Sequence, residues 1–275
     1  MKVEQNRGLP GLFEILLHPP AIAFRSGGEG FCIRVNLHTP AEALRFVGDR
    51  IAKGEGFALA TLNLDHVVKL ATSPEFLDAY LRHDAVTADG FPIVWAGRIQ
   101  GVSLVRTTGS DLFLPMLNLA AEAGAKIALV GTTGPALEAA SKNIAARFPK
   151  IRIALTEAPP FGFDPASAEA AAVLERVRDS GAALCFLALG APKQEELAAR
   201  GRAIAPNVGF LSVGASVDFI AGTQRRAPRW VQRCNVEWLW RLGTNPRRLM
   251  IRYAFCAAIL PGLLVRAFLS RKGRS

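Results

Sequence analysis

Asp89 stands in the stretch TADGFP (residues 87–92), where a carboxylate and a glycine come just before Pro92, a residue suited to opening a helix. An aspartate at such a place caps or turns the chain. At the rim of a site the same carboxylate can take a proton from an attacking hydroxyl. ATLNLDHV (60–67) gathers Thr61, Asn63 and Asp65 where an apolar run ends, either as helix caps or as contacts to a sugar. In RTTGSDL (106–112), Arg106 precedes a helix start that Ser110 or Asp111 can cap, and its guanidinium is a phosphate ligand or a solvated surface group. GAPKQEE (190–196) follows the most apolar run of the chain. There Pro192 fits the first helical position, Glu195 and Glu196 complement the helix dipole, and the Gln194 amide can donate and accept together, as reading a base or a sugar hydroxyl requires.

A different chemistry is concentrated in QRRAPRWVQRCNVEWLWRLGTNPRRLMIRY (224–253), with eight arginines and one acid, Glu237. Residues 225–275 hold twelve of the 33 Lys and Arg residues but only that one acid, leaving 21 basic and 22 acidic side chains in residues 1–224. The excess charge of +10 is therefore local, an appendage on a near-neutral body. Its arginines alternate with Trp, Leu, Ile, Tyr and Phe instead of covering one face, so no nucleic-acid partner is expected. Two readings fit: a helix lying on an anionic membrane surface, with Trp230, Trp238 and Trp240 at headgroup level or in a core, or a lid that brings guanidinium groups to a phosphate.

The four histidines, at 18, 38, 66 and 83, form no HxH or HxxxH pair, and the cysteines at 32, 185, 234 and 256 form no CxxC. No DxD occurs either, so neither a metal nor another cofactor is expected, and a reducing, cytoplasmic compartment fits the thiols. GLPGLFEILLHPPAIAF near the N-terminus is interrupted by Glu14, His18 and prolines, and reads as an extension rather than a signal peptide. YAFCAAILPGLLV gives thirteen uncharged residues between Arg252 and Arg266, short of the roughly 20 a spanning helix needs, which predicts a segment lying in the interface.

The elements that must position these groups follow from periodicity. Short apolar runs predict strands over 57–62, 126–130, 151–155, 183–189 and 208–213, alternating with helices near 40–53, 74–82, 92–100, 110–123, 135–147, 166–180 and 192–204. That alternation is the mark of an α/β fold: a Rossmann-like, open, mostly parallel sheet with flanking helices and a basic C-terminal helical appendage. Gly131, Gly190 and Gly214 each follow a predicted strand, which gathers backbone amides at the carboxyl edge where open α/β sheets bind ligands, although a glycine there also simply permits a tight turn.

In this order and spacing, ATLN, ADG, TGSDL, LALGAPKQE, SVGASVDFIAGTQRRAP and VEWLWRLGTNPRR resemble the WecG/TagA/CpsF family of bacterial glycosyltransferases over about residues 31 to 255. The resemblance implies inverting transfer of a sugar from a UDP-sugar donor, of the N-acetylmannosamine, mannosaminuronate or glucose type, to a polyprenyl-diphosphate-linked saccharide. It implies no required metal, and a place on the inner face of the cell membrane in cell-surface polysaccharide synthesis. Matched residue by residue, it makes Asp89 the catalytic base with Thr61 beside it. Asn63, Arg106, Gln194, Arg225, Arg226 and Arg241 become substrate-binding groups. Pro92 departs from the family pattern, which often has glycine there, and puts the acceptor side of the pocket in question.

The expected organisation is an extension over 1–30, a catalytic α/β domain over 31–224 and a membrane-associating appendage over 225–275. A homo-oligomer is compatible with the sequence. Two rivals stand beside this reading: a nicotinamide-dependent oxidoreductase, whose candidate loop GTTGPALEAA (131–140) lacks GxGxxG spacing, and a non-enzymatic basic membrane adaptor.

Overall fold

The computed structural model describes residues 13–17, 31–228, 230–231, 237–244 and 246–272. An antiparallel pair, β1 (Phe13–Leu17) and β2 (Phe31–Val35), precedes the main body. The six-stranded sheet is built from β3 (Phe57–Leu62), β4 (Ala85–Ala88), β5 (Lys126–Gly131), β6 (Arg152–Glu157), β7 (Leu184–Ala188) and β8 (Gly209–Ser212). All its pairings are parallel, in the order β4-β3-β8-β7-β5-β6. The predicted α/β class and parallel sheet are what the chain forms.

Around the sheet lie α1 (Pro40–Lys53), α2 (Leu64–Thr72), α3 (Pro74–Leu81), α4 (Phe91–Ile99), α5 (Gly109–Glu122), α6 (Gly134–Arg147), α7 (Ala168–Asp179), α8 (Lys193–Ile204) and α9 (Ser216–Ala221). Thr39, Asn63, Ser73, Thr108, Thr133 and Ser167 are N-caps whose side chains accept a backbone N–H of the first turn. Each such cap is worth about 1 kcal/mol. Because strand side chains alternate, Phe57 and Leu59 enter the core with α1, α5 and α6, whereas Ala58 faces α7 and α8, and Ala60 and Leu62 face α2, α3 and α4. Both faces of β3 are buried, which accounts for its unbroken apolar run FALATL.

The appendage forms α10 (Glu237–Thr244) and α11 (Pro246–Lys272). Along α11, Cys256, Leu263 and Ala267 are buried, and the latter two join the core cluster of α2 and α4. Arg252 Nε lies 2.8 Å from Asp65 Oδ1 on α2. A ring contact between Trp238 and Tyr253, centroids 5.8 Å apart, ties α10 to α11.

A candidate active site at the carboxyl edge of the sheet

The ends of β3 and β4 place the first two groups. The Asp89 amide donates to the Leu62 carbonyl at 2.7 Å, extending the β3–β4 ladder one residue past its regular end. The buried Thr61 hydroxyl reaches Asp89 Oδ2 at 3.4 Å, and Asp89 keeps partial exposure at the rim. Gly90 follows with φ 98 and ψ 153, backbone in the left-handed range that favours glycine, and it turns the chain into α4 as its N-cap without a side-chain cap bond. Asp89 therefore does not cap the helix after it.

Asn63 does cap: its Oδ1 accepts the His66 amide at 3.0 Å, so the acceptor half of its side chain serves α2. Asp65 is buried, paired with Lys69 within α2 and with Arg252 of α11. Its carboxylate ties the appendage to the body. Beneath these residues the Tyr80 hydroxyl lies 2.7 Å from His66 Nδ1 and 3.4 Å from the Thr61 carbonyl. Burial pushes His66 down to about 3, while burial, with Glu195 and then Asp89 nearby, pushes Tyr80 up, so both are neutral around pH 7.

Beside β4, the Thr107 amide donates to the Ala88 carbonyl at 2.7 Å and the Thr87 hydroxyl to the Thr107 carbonyl at 3.0 Å. Arg106 thus runs next to the Asp89 turn. A Cβ on Gly109 would lie 3.0 Å from Val213 Cα and 3.1 Å from the Ser212 carbonyl, so only glycine lets the start of α5 press this closely on the end of β8. In that first turn Asp111 takes Arg226 Nη2 at 2.5 Å on Oδ1 and Arg106 Nη2 at 3.4 Å on Oδ2. Burial works against the Asp111 anion. The hydrogen bond and charge of Arg226, with the charge of Arg106, outweigh it and hold the carboxyl below its ordinary range. Neither Ser110 nor Asp111 caps α5, a role that falls to Thr108.

Gln194 is buried, with Nε2 donating to Glu195 Oε1 at 2.7 Å and Oε1 accepting the Gly214 amide at 3.2 Å. Its amide is a strut between α8 and the turn after β8, and it also lines the edge where β7 and β8 end. Glu195 corrects the sequence reading. It is fully buried, and burial pushes its carboxyl up to about 8, so at neutral pH it is mostly uncharged and cannot complement the helix dipole. Pro192 sits at the N-cap of α8, one residue before the expected first helical position. Asp111, Glu195 and Tyr80 are thus components of the region that sequence reasoning used only as a cap, a dipole charge or not at all.

Of the appendage arginines, Arg226 reaches the Asp111 pair, Arg225 is exposed, and the side chain of Arg241 lies outside the described residues. Among the described residues no cluster of three His, Cys, Asp or Glu side chains could hold a metal ion. The edge thus carries a carboxylate steadied by a hydroxyl at the rim and, on the start of α5, a carboxylate that gathers two guanidiniums, groups of the kind that proton removal and anion stabilisation use.

The appendage differs from expectation in length. Residues 249–269 of α11 form a 21-residue stretch of mean hydropathy 1.6, long and apolar enough by length and composition to cross a bilayer. The count of thirteen stopped at Arg252 and Arg266, but the helix continues through both and through Pro261. Its outward face leaves Met250, Ile251, Phe255, Val265, Phe268 and Leu269 exposed, and Trp230, Trp238 and Trp240 are exposed as well.

Residues 30–274 match the glycosyl transferase WecG/TagA/CpsF family. The chain is also 27% identical over 195 residues to the N-acetylglucosaminyldiphosphoundecaprenol N-acetyl-beta-D-mannosaminyltransferase of Bacillus subtilis (strain 168), an alignment spanning 70% of this chain and 73% of that protein.

Proposed function

Since the chain belongs to the WecG/TagA/CpsF family of glycosyl transferases, we propose that it moves a sugar from a UDP-sugar to a polyprenyl-diphosphate-linked saccharide during cell-surface polysaccharide synthesis. What supports this reading is that the Thr61–Asp89 pair and the Arg106–Asp111–Arg226 cluster stand on segments joined by the Thr107 amide bond to the Ala88 carbonyl. A base for a hydroxyl and cations for a departing diphosphate are the two needs of glycosyl transfer from a nucleotide sugar.

The reaction is a single displacement. Asp89 takes the proton of the acceptor hydroxyl, the acceptor oxygen bonds to the sugar C1, the bond from C1 to the donor phosphate oxygen breaks with inversion, and UDP leaves. Arg106 and Arg226 offset its charge, with Arg225 and Arg241 contributing from the appendage. Thr61 holds one Asp89 oxygen and so helps to orient the carboxylate at the rim. Gln194 and Asn63 shape the donor edge. A general base contributes roughly 10²- to 10⁴-fold in rate, and one donor to the developing anion roughly 10²- to 10³-fold.

The named activity of the Bacillus subtilis relative makes UDP-N-acetylmannosamine the first donor to try and an N-acetylglucosaminyl-diphosphate lipid the first acceptor. The appendage, residues 225–275, supports a membrane-facing role. One face of α11 is held on α2 and α4, so its outward apolar face and the exposed tryptophans are suited to lie in the plane of the bilayer among anionic headgroups. The decisive assay incubates the protein with a panel of UDP-sugars and a short-chain polyprenyl-diphosphate N-acetylglucosamine acceptor. Transfer from at least one donor is expected, and no transfer from any of them, with NAD(P)H bound instead, would overturn the reading.

A further inference from the structure

Asp111 is placed where an anionic ligand of Arg106 and Arg226 would sit. Each of its oxygens meets one guanidinium through a single Nη2 nitrogen, at 2.5 Å for Arg226 and 3.4 Å for Arg106. A carboxylate held by one arginine alone favours the forked, two-nitrogen arrangement, so this divided pairing gives each cation less than it can use. The shortfall is visible at Arg226, whose Nε is buried with no hydrogen-bond partner among the described residues. A buried N–H on a charged group without an acceptor is costly, and a ligand with more oxygens than a carboxylate would relieve that cost.

The segment carrying Arg226 is tethered just before it. Asp218 on α9 accepts the Thr223 hydroxyl at 3.2 Å and Gln224 Nε2 at 3.1 Å. Arg226 can therefore turn about a fixed point without the appendage leaving the body. Arg106 is likewise fixed through the Thr107 amide. Both cations have anchored backbones and exchangeable tips.

We propose that Asp111 is an internal stand-in for the donor's diphosphate: it gathers Arg106 and Arg226 at the sheet edge and yields them to the incoming anion. This rests on the donor reading above. The cluster carries a net charge of +1 with Asp111 engaged and acts as +2 once the carboxylate has let go, so the resident acid lowers the affinity for UDP and eases its release after transfer. A purely local role in the first turn of α5 would make Asp111 a helix-dipole partner with no bearing on anion affinity.

Calorimetric titration with UDP and, separately, with inorganic pyrophosphate separates these cases in wild type, Asp111→Asn, Arg106→Ala/Arg226→Ala, and the triple variant. Freeing two largely buried ion pairs predicts that Asp111→Asn binds both anions about three- to tenfold more tightly, a gain absent when both arginines are already missing. Unchanged or weaker binding by Asp111→Asn overturns the inference, as does a gain that persists without the arginines. If pyrophosphate behaves as expected while wild type fails to bind UDP, the donor reading falls and the stand-in remains. If no variant binds either anion, both fall. Should Asp111→Asn not fold, Asp111→Ser, which also removes the charge, decides in the same titration.

Discussion

Thr61 and Asp89 lie at the ends of neighbouring parallel strands, and the Thr61 hydroxyl meets Asp89 Oδ2 at 3.4 Å from a site buried beneath it. One oxygen of the Asp89 carboxylate is thus steadied from below while the residue keeps its exposure at the rim.

Replacing Asp89 with Asn keeps the shape and removes the basicity. Turnover should fall by about 10²- to 10⁴-fold while the dissociation constant for UDP stays within twofold. Thr61→Val should lower turnover without moving UDP affinity, and Thr61→Ser should restore most of it. Initial rates and calorimetry on the same preparations check this, and an Asp89→Asn variant with near-normal turnover removes Asp89 from the chemistry.

In the proposed reaction, arginines offset the charge on the departing UDP. Activity should accordingly persist in excess EDTA, and added Mg²⁺ should change the rate by less than about twofold. A complete loss that Mg²⁺ reverses would assign leaving-group stabilisation to a metal.

Glu195 gives a pH signature. Its carboxyl is raised to about 8 in the folded chain from an ordinary 4.5, so the folded state holds the proton more tightly and stability falls as pH rises through that window. His66 and His83, lowered to about 3 and about 4, contribute only below their ordinary 6.5, where protonation favours the unfolded chain. Between pH 6.5 and 8 the slope therefore belongs to Glu195. Wild type should lose about 2 kcal/mol relative to Glu195→Gln across it, read from urea unfolding at a series of pH values. Parallel stability curves for the two proteins would show that Glu195 ionises normally.

Removing residues 249–275 is a poor probe of membrane contact, because Leu263 and Ala267 complete a core cluster and Arg252 pairs with buried Asp65. Phe255→Glu and Leu269→Glu change exposed residues of the outward face. Together they should release the protein from anionic liposomes in co-sedimentation, while turnover on a water-soluble acceptor and the melting temperature stay near wild type. Unaltered sedimentation would mean that this face of α11 does not meet lipid.

The sequence announced the strands buried on both faces most clearly. FALATL, KIALV and ALCFLAL are unbroken apolar runs because parallel strands here are covered on two sides. β4, the four residues AVTA, is too short and too weakly apolar to stand out, although it carries Asp89 to its place. The turn that holds Asp89 and the place of Arg106 ahead of α5 were legible from residue type and spacing, whereas the roles proposed for them rest on the resemblance. The environment of Glu195 was not, since a first-turn glutamate reads as a solvated dipole partner until the packing of α8 against α3 and β8 buries it. Asp111 was read as a cap because its partner Arg226 lies far along the chain. Only tertiary contact brings the two together.

The strand order also fixes a sequence of assembly. β3 and β4 are near neighbours in the chain, so Thr61 and Asp89 can meet through short-range closure, whereas β3 pairs with β8 across most of the body, Phe57 opposite Gly209. During synthesis the Thr61–Asp89 half of the edge can form on the ribosome. The half that brings Arg226 to Asp111 must wait until the strand before Arg226 has emerged and inserted between β3 and β7. A nascent chain thus holds the Asp89 carboxylate before Arg226 exists, and that guanidinium arrives with the segment that also leads to α10 and α11.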